Sequence, residues 1–350
     1  MSKPYVVGID IGGTNTVFGI VDARGVVIAS SSIKTRKHSK IEDYINELHS
    51  ELTKLLEAND ALGKVHGIGI GAPNANYYSG MIEEGVNWPW PTPIPLAKLV
   101  SEKFGVPVSI TNDANAAAIG EMTYGAARGL KDFIMITLGT GVGSGIVING
   151  QLVYGHDGFA GELGHVIVKR NNGRLCGCGN HGCLETYCSA TGVARTACEF
   201  LDARANEPSK LRDIPMDEIT SKDVYDAAVA GDKLAKDVFE YTGNILGATM
   251  ADFAKFSAPE AFILFGGLAK SGELLMRPLR EAMEKNQMPI WKGKVKVALS
   301  ELKEADAAVL GASALGWEAK FQAPTPSAVA VAPTPATAPM NAPLSPATEA

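Results

Sequence analysis

Five cysteines lie between positions 176 and 198 of a 350-residue chain, and three of them form Cys176-Gly-Cys178 followed, after four intervening residues, by Cys183. An odd count crowded into one segment argues against a disulfide framework and for metal. Three thiolates and one imidazole make a tetrahedral structural zinc site. Ten residues separate His165 from Cys176, and His181 inside the loop is a rival nitrogen ligand. The intervening glycines let a short loop wrap an ion. Four protein ligands leave no open coordination position, so the metal's job would be to fix Glu162, His165 and Glu185 around a polar substrate. Cys188 and Cys198 follow on a helix and read as core residues.

A second chemistry rests on glycine. Of the 350 residues 38 are glycine, against a usual share of ~7%. Two clusters, Gly12-Gly13-Thr14-Asn15 after Asp10 and Gly139-Thr140-Gly141-Val142-Gly143, each join two apolar runs. Backbone N–H groups in such a turn form an anion-binding concavity, and a threonine hydroxyl adds a donor. Neither is a P-loop or a dinucleotide fingerprint, because no Gly-Lys-Ser/Thr follows and the turns open hairpins, not helices. One such turn alone is a tight hairpin. Two matched turns point to a polyphosphate held between two lobes.

Asp113 is the candidate general base. It sits where a strand should end and a helix begin, which also suits a helix N-cap. A carboxylate at the C-terminal end of a strand faces the crevice where α/β ligands bind. There it would take the proton from a substrate hydroxyl attacking a terminal phosphate, with Asn112 and Asn115 supplying neutral hydrogen bonds.

The elements that must position these groups follow from periodicity. Strands are expected at 5–11, 16–21, from 26, at 66–70, 106–110, 133–138, 144–148, 151–154, 261–265 and 295–299. Asn149-Gly150 is a strong hairpin signal. Ile41, Tyr44, Ile45, Leu48, Leu52, Leu55 and Leu56 recur at helical spacing, with Ser39 as N-cap. Further helices are expected at 116–123 and around 188–204, 220–229, 233–256, 272–286 and 304–320. A strand, glycine turn, strand, turn, strand unit thus occurs twice. The tail from 321 is mostly Ala, Pro, Thr and Ser, with Glu349 its only charge, and should be disordered.

Composition narrows the class. Charged residues make up 20% and hydrophobic ones 46%, with mean hydropathy +0.05 and pI about 5.6. This is globular composition, and the length suggests two domains. The net charge of −6 lacks the basic excess of a nucleic-acid binder. No apolar run approaches the ~20 residues of a membrane helix. The first residues lack a signal-peptide layout, so the cytoplasm is the expected compartment.

With these residues assembled, the chain resembles the ROK family (repressors, open reading frames, kinases) within the sugar kinase/Hsp70/actin superfamily. Asp10-Ile-Gly-Gly-Thr-Asn15 resembles its first phosphate motif and Leu138-Gly-Thr-Gly-Val-Gly143 its second. Gly266-Gly267 resembles the glycine pair beside adenosine, and Cys176-Gly-Cys-Gly-Asn-His-Gly-Cys-Leu-Glu185 the zinc signature. The match spans about 5 to 320. The resemblance implies an α/β, two-lobed actin-like/ribonuclease H-like ATPase fold with an interdomain cleft. Residues 1–115 would form a small lobe with helix 304–320 packing back on it, and 116–303 a large lobe with the zinc loop.

It also implies an ATP-dependent hexokinase of glucokinase type. Asp113 would be the base, and Gly71, Asn87, Asn112, Glu162, His165 and Glu185 would bind sugar. His165 would ligate zinc as well, with Cys176, Cys178 and Cys183, and Mg²⁺ would accompany ATP near Asp10. A homodimer or homotetramer is implied. Where many members have Ala-Pro-Gly and an aliphatic residue, this chain has Ala72-Pro-Asn-Ala-Asn-Tyr-Tyr78. That segment is expected near the sugar. Glucose is the favoured substrate, with N-acetylmannosamine or another hexose as alternatives and polyphosphate as a rival donor. A sugar-responsive regulator is the other class. Repressors of the family carry a DNA-binding segment before the first phosphate motif, for which the nine positions before Asp10 are too few.

Overall fold

The structure, a computed structural model, describes residues 3–83, 88–302 and 304–320. Asn87 and the segment 321–350, expected to be disordered, lie outside the described residues.

The chain runs β1 (Tyr5–Ile11), β2 (Asn15–Asp22), β3 (Val27–Lys34), α1 (Ile41–Ala58), β4 (Val65–Gly71), a small hairpin of β5 (Ala75–Asn76) and β6 (Met81–Ile82), α2 (Leu96–Phe104), β7 (Val108–Thr111) and α3 (Asp113–Tyr124). It continues through β8 (Phe133–Leu138), β9 (Val142–Ile148), β10 (Gln151–Leu152), α4 (Glu185–Cys188), α5 (Ala190–Ala203), α6 (Ser221–Val229), α7 (Lys233–Ser257), β11 (Ala261–Phe265), α8 (Glu273–Asn286), β12 (Lys296–Leu299) and α9 (Glu304–Glu318).

Two five-stranded sheets have the same design. The first is ordered β3-β2-β1-β4-β7 and the second β10-β9-β8-β11-β12. In each, the first three strands in sequence are antiparallel, the fourth pairs in parallel with the central strand, and the fifth pairs in parallel with the fourth. This is the duplicated, two-lobed actin-like architecture expected from the sequence. Asn149 and Gly150 both take positive φ, at 53° and 73°, as a two-residue type I′ hairpin requires.

Alternation along the central strands sets the layers. Val7, Ile9 and Ile11 of β1 bury against Tyr44, Leu48 and Leu52 of α1, while Val6 faces Val309 and Leu310 of α9. Ile134, Ile136 and Leu138 of β8 face the core shared with α5 and α7, and Phe133 and Met135 face Ala118 of α3. Helix α9 lies directly on the first sheet because Gly8 and Gly69 are paired neighbours there. A Cβ on Gly8 would meet Ser313 N at 2.7 Å, and one on Gly69 would meet Gly316 N at 2.9 Å. α9 then crosses α3 where a Cβ on Gly120 would lie 2.7 Å from Gly311 Cα. α3 packs on α9 and on the second sheet at once, so its first residue stands at the junction of the lobes.

Two local expectations are corrected. Lys40, not Ser39, occupies the N-cap position of α1, and no side chain caps it. The helix expected from Ala116 begins at Asp113, capped by Asn112. β3 runs on to Lys34 as an edge strand; its outward Ser30-Ser31-Ser32 gives no apolar signal.

Candidate active site and metal cluster

The carboxyl ends of the parallel strands of the first sheet converge. Asp10 on β1 is in register with Gly71 on β4, and Gly71 with Thr111 on β7. Asp113 follows two residues later as the first residue of α3. Asn112 takes the capping role, accepting the Asn115 N–H at 2.7 Å. That leaves one Asp113 oxygen on its neighbour Ala114 N–H, at 2.8 Å, and the carboxylate free of helix capping. Asn115 is buried against Gly145 and Gly161, not at the site.

Asp10 and Asp113 share a cavity of about 340 Å³ floored by Thr137 of the second sheet. Burial pushes the Asp10 carboxyl up to about 6, and the charge of Asp113 adds to the shift. Burial also raises Asp113, against the opposing hydrogen bond from Ala114 N–H. A Cβ on Gly71 would lie 3.7 Å from Asp10 Oδ1 and 3.8 Å from Asp113 Cα. Gly71 therefore lies in contact range of both acids, and a Cβ there would press on Ala116 Cβ at 3.2 Å.

The two glycine turns are built alike. In the first, Thr35 Oγ1 donates to Gly12 O (2.8 Å), Arg36 Nε to Gly13 O (2.8 Å) and Thr35 N to Thr14 O (3.0 Å). Gly12 N–H closes the turn on Asn15 O at 3.0 Å, and Lys34 Nζ donates to Asn15 Oδ1 at 2.8 Å. In the second, Ala190 N donates to Gly139 O and Thr191 Oγ1 to Thr140 O, both at 2.8 Å, while Gly139 N–H reaches Gly141 O at 3.1 Å. Occupied carbonyls no longer present acceptors that would repel a phosphate oxygen, and Lys34 and Arg36 bring cations to the first turn. A cavity of about 550 Å³ runs from Gly139 and Thr140 to Gly267, with Tyr225 and Lys270 on its walls. Gly266 stands at φ 106°, and a Cβ there would meet Leu138 N at 3.2 Å, so it closes β11 onto β8. Gly143 N–H donates to Thr137 Oγ1 at 3.1 Å.

The thiols and one imidazole assemble. His165 Nδ1 lies 3.6 Å from Cys176 Sγ, and Cys178 Sγ lies 3.7 Å from Cys183 Sγ. All four ligand atoms fall within 4.8 Å of one another. A tetrahedron with Zn–S bonds of ~2.3 Å has edges of about 3.8 Å, so the set fits zinc. His181 is outside the cluster, its backbone bridged to Leu175. Gly179 and Gly182, at φ 88° and 85°, turn the loop. Burial and hydrogen bonding to the other two thiols push Cys183 up to about 12. Bound zinc would take the thiolate form and release those protons. Cys188 is fully buried and Cys198 half-buried, both on helices, as expected.

Arg174, 6% exposed, pins this loop. It donates to both oxygens of Glu199 (2.9 and 2.5 Å), to Thr186 O and to Gly192 O, and it stacks over Tyr187 at 4.4 Å.

The far nitrogen of His165, Nε2, lies 3.8 Å from Glu162 Oε2. Both line a cavity of about 830 Å³ with Asn112, Phe159, Asn74 and Glu83. Burial raises Glu162, opposed by His165. Of the expected sugar contacts, Asn112, Glu162 and His165 come together here. Gly71 lies with the two aspartates. Glu185 adjoins Glu162 from the cysteine loop: its Oε2 accepts the Val142 N–H at 2.9 Å, Cys176 Sγ lies 3.8 Å from its Oε1, and its charge helps to raise the Glu162 pKa. It joins the cysteine loop to the second glycine turn. Asn74 belongs to the segment 72–78 expected near the sugar, whereas Glu83 and Phe159 do not stand out in the sequence, since the short segments that carry them show no periodicity.

Comparison with known proteins gives the family. The model of the ROK family matches residues 6–319. The glucokinase of Halalkalibacterium halodurans is 36% identical over 324 residues, covering 92% of this chain and 97% of that protein. The glucokinase of Thermotoga maritima is 33% identical over 317 residues, covering 90% and 98%. Among solved structures, a ROK family glucokinase from Streptomyces griseus in complex with glucose and AMPPNP superposes with a TM-score of 0.73 at 34% identity, over 90% of this chain and 99% of that one.

Proposed function

Because this chain belongs to the ROK family, we propose that it is an ATP-dependent glucokinase that transfers a phosphoryl group from ATP to glucose. One observation carries the assignment of roles. Asp113 lies between Asn112, on the wall of the cavity with Glu162 and His165, and Asp10, beside the first glycine turn. A carboxylate there can meet a sugar hydroxyl on one side and a terminal phosphate on the other.

Asn112, Glu162 and His165 would hold the sugar hydroxyls. Asp113 would accept the proton of the attacking hydroxyl, a contribution of ~10²–10⁴ in rate. Burial raises its pKa, which strengthens its proton affinity. The remainder of the acceleration is positioning and charge stabilisation. The turn at Gly12, Gly13, Thr14 and Asn15 and the turn at Thr140, Gly141 and Gly143 would grip the phosphates from opposite lobes. Gly267, with Gly266 shaping the approach, would border the adenosine.

Two acids crowded and desolvated at one point are a place where a divalent cation is favoured. Mg²⁺ arriving with ATP would neutralise phosphate charge there, held by Asp10 through water. Zn²⁺ held by His165, Cys176, Cys178 and Cys183 would be structural, fixing the imidazole so that Nε2 points at substrate. The working form would be a cytoplasmic homodimer or homotetramer that does not bind nucleic acid. Among the described residues no helix is long and apolar enough to cross a membrane. The decisive experiment is kcat/KM over a hexose panel with ATP and polyphosphate as donors. Glucose with ATP should lead, and a flat panel would remove the reading.

A further inference from the structure

We propose that Asn74 is a specificity-determining residue, whose carboxamide reads the configuration of sugar hydroxyls remote from the one phosphorylated. The inference rests on the hexokinase reading of the site and adds a residue to it.

Asn74 lines the cavity that holds Asn112, Glu162 and His165. Asp113 lines the neighbouring cavity with Asp10. Asn74 therefore stands on the sugar side of the junction, away from the transfer itself. Its backbone is left-handed, φ 58°. Asparagine tolerates that conformation better than other side-chain-bearing residues, but glycine fits it at no steric cost. The carboxamide makes no hydrogen bond to any described residue.

The turn that carries it is rigid. Ala75 N–H donates to Ala72 O at 3.2 Å, and Glu83 N–H donates to Asn74 O at 3.4 Å. Ala75 and Asn76 pair with Ile82 and Met81. Asn76, 2% exposed, accepts Tyr78 N–H on Oδ1 at 2.9 Å and donates from Nδ2 to Asp157 O at 2.5 Å. Tyr77 stacks on Tyr154 at 4.1 Å and 8°. These last two contacts tie the turn to the segment that supplies Phe159 and leads to Glu162. Asn74 is thus presented at a fixed place relative to the opposite wall.

A carboxamide offers donors and an acceptor side by side. Two adjacent sugar hydroxyls can engage both, and whether they do depends on which is axial. Asn74 is exposed in the empty cavity, so its carboxamide discriminates epimers when the bound sugar shuts water away from it and the wrong epimer leaves it without a partner.

The test compares wild type, Asn74→Gly and Asn74→Asp over glucose, mannose, galactose, 2-deoxyglucose and N-acetylmannosamine. Glycine keeps the left-handed turn and removes only the carboxamide. We expect the KM of the preferred hexose to rise roughly tenfold in Asn74→Gly, more than kcat falls. The ratio of kcat/KM between that hexose and at least one competitor should shrink by a similar factor, with KM for ATP unmoved. Asn74→Asp should change the ratios differently, since it loses the donors. Identical ratios in wild type and Asn74→Gly would overturn the proposal, as would a fall in kcat alone. A wild type that prefers another hexose contradicts the glucose assignment, while changed ratios in the variant still support Asn74. If no hexose turns over, calorimetric binding of the same sugars supplies the same ratios: altered ratios in Asn74→Gly support the proposal, and identical ones overturn it.

Discussion

Asp10 and Asp113 face a common cavity, with Gly71 beside both: a Cβ there would lie 3.7 Å from Asp10 Oδ1 and 3.8 Å from Asp113 Cα. Neither is paired with a cation among the described side-chain contacts, and both are raised by burial. The first sheet creates this juxtaposition. Three parallel strands end side by side, and their last residues bring one acid from β1 and one from the start of α3 into the cleft. Such a pair is costly in the empty protein and useful when phosphate and its cation arrive. Stability and activity should therefore respond in opposite directions when either acid is neutralised.

Asp113→Asn tests this directly. The isosteric amide keeps the helix start, because Asn112 supplies the cap. Turnover should fall about 10²–10⁴-fold, while glucose binding by calorimetry persists. The unliganded variant should melt at or above the wild-type temperature near neutral pH. A variant with wild-type turnover would show that Asp113 is not the base.

The pH dependence of stability carries a sign that can be checked. Asp10 has a folded pKa of about 6, above its ordinary value of 3.8. The folded state therefore holds this proton more tightly than the unfolded chain. The group's contribution is fully present below about 3.8 and is lost as pH rises through 6. Asp10→Asn without ligands should match wild type in melting temperature near pH 4 and exceed it by pH 8. The gap corresponds to about 3 kcal/mol at most. A gap that does not change across this range would contradict the burial argument. For Asp113 the same direction places the acid limb of kcat/KM above the usual carboxylate range.

The zinc cluster predicts a metal content. Purified protein should contain about one zinc per chain, and Cys178→Ser should lose it. Loss should also lower stability and weaken sugar binding, because the loop that presents His165 and Glu162 is then unanchored. Full activity in metal-free protein would contradict a structural role for the ion.

Much of this site is legible in the sequence, and the reasons differ residue by residue. The two turns are readable because chance rarely places clustered glycine at matched positions of two halves. Both turns join antiparallel strands, as the lack of a helix signal after them implies. Spacing cannot choose between His165 and His181, since both can reach a loop of three cysteines. Only the folded loop, with His181 drawn into a bridge to Leu175, separates them. In sequence Asp113 suits a helix cap as well as a base; in the fold Asn112 fills the capping position. Glu185 follows Cys183 closely, which suggests a place beside the sugar. In the fold one of its oxygens accepts the Val142 N–H, while its charge reaches Glu162 on the cavity wall. Arg36 serves the first turn from 23 positions away, through strand pairing that no local pattern encodes.

Arg174 is the clearest residue of that hidden kind, and its replacement is a sharp test of how the metal loop is held. Its guanidinium is almost fully enclosed, yet its partner Glu199 is half exposed. A pair of that kind contributes little through charge alone, because water screens the exposed partner. The larger effect lies in the carbonyls of Thr186 and Gly192 and the ring of Tyr187, which the planar fork satisfies together. Lysine cannot reproduce that fork. Arg174→Lys should therefore destabilise the protein by about 2–4 kcal/mol, close to the effect of Arg174→Met. Glu199→Gln, which leaves the carbonyl contacts intact, should cost under about 1 kcal/mol. Both Arg174 variants should also release zinc to a chelator faster than wild type. A conservative lysine that restores wild-type melting and zinc retention would show that charge, not the enclosed fork, holds the loop.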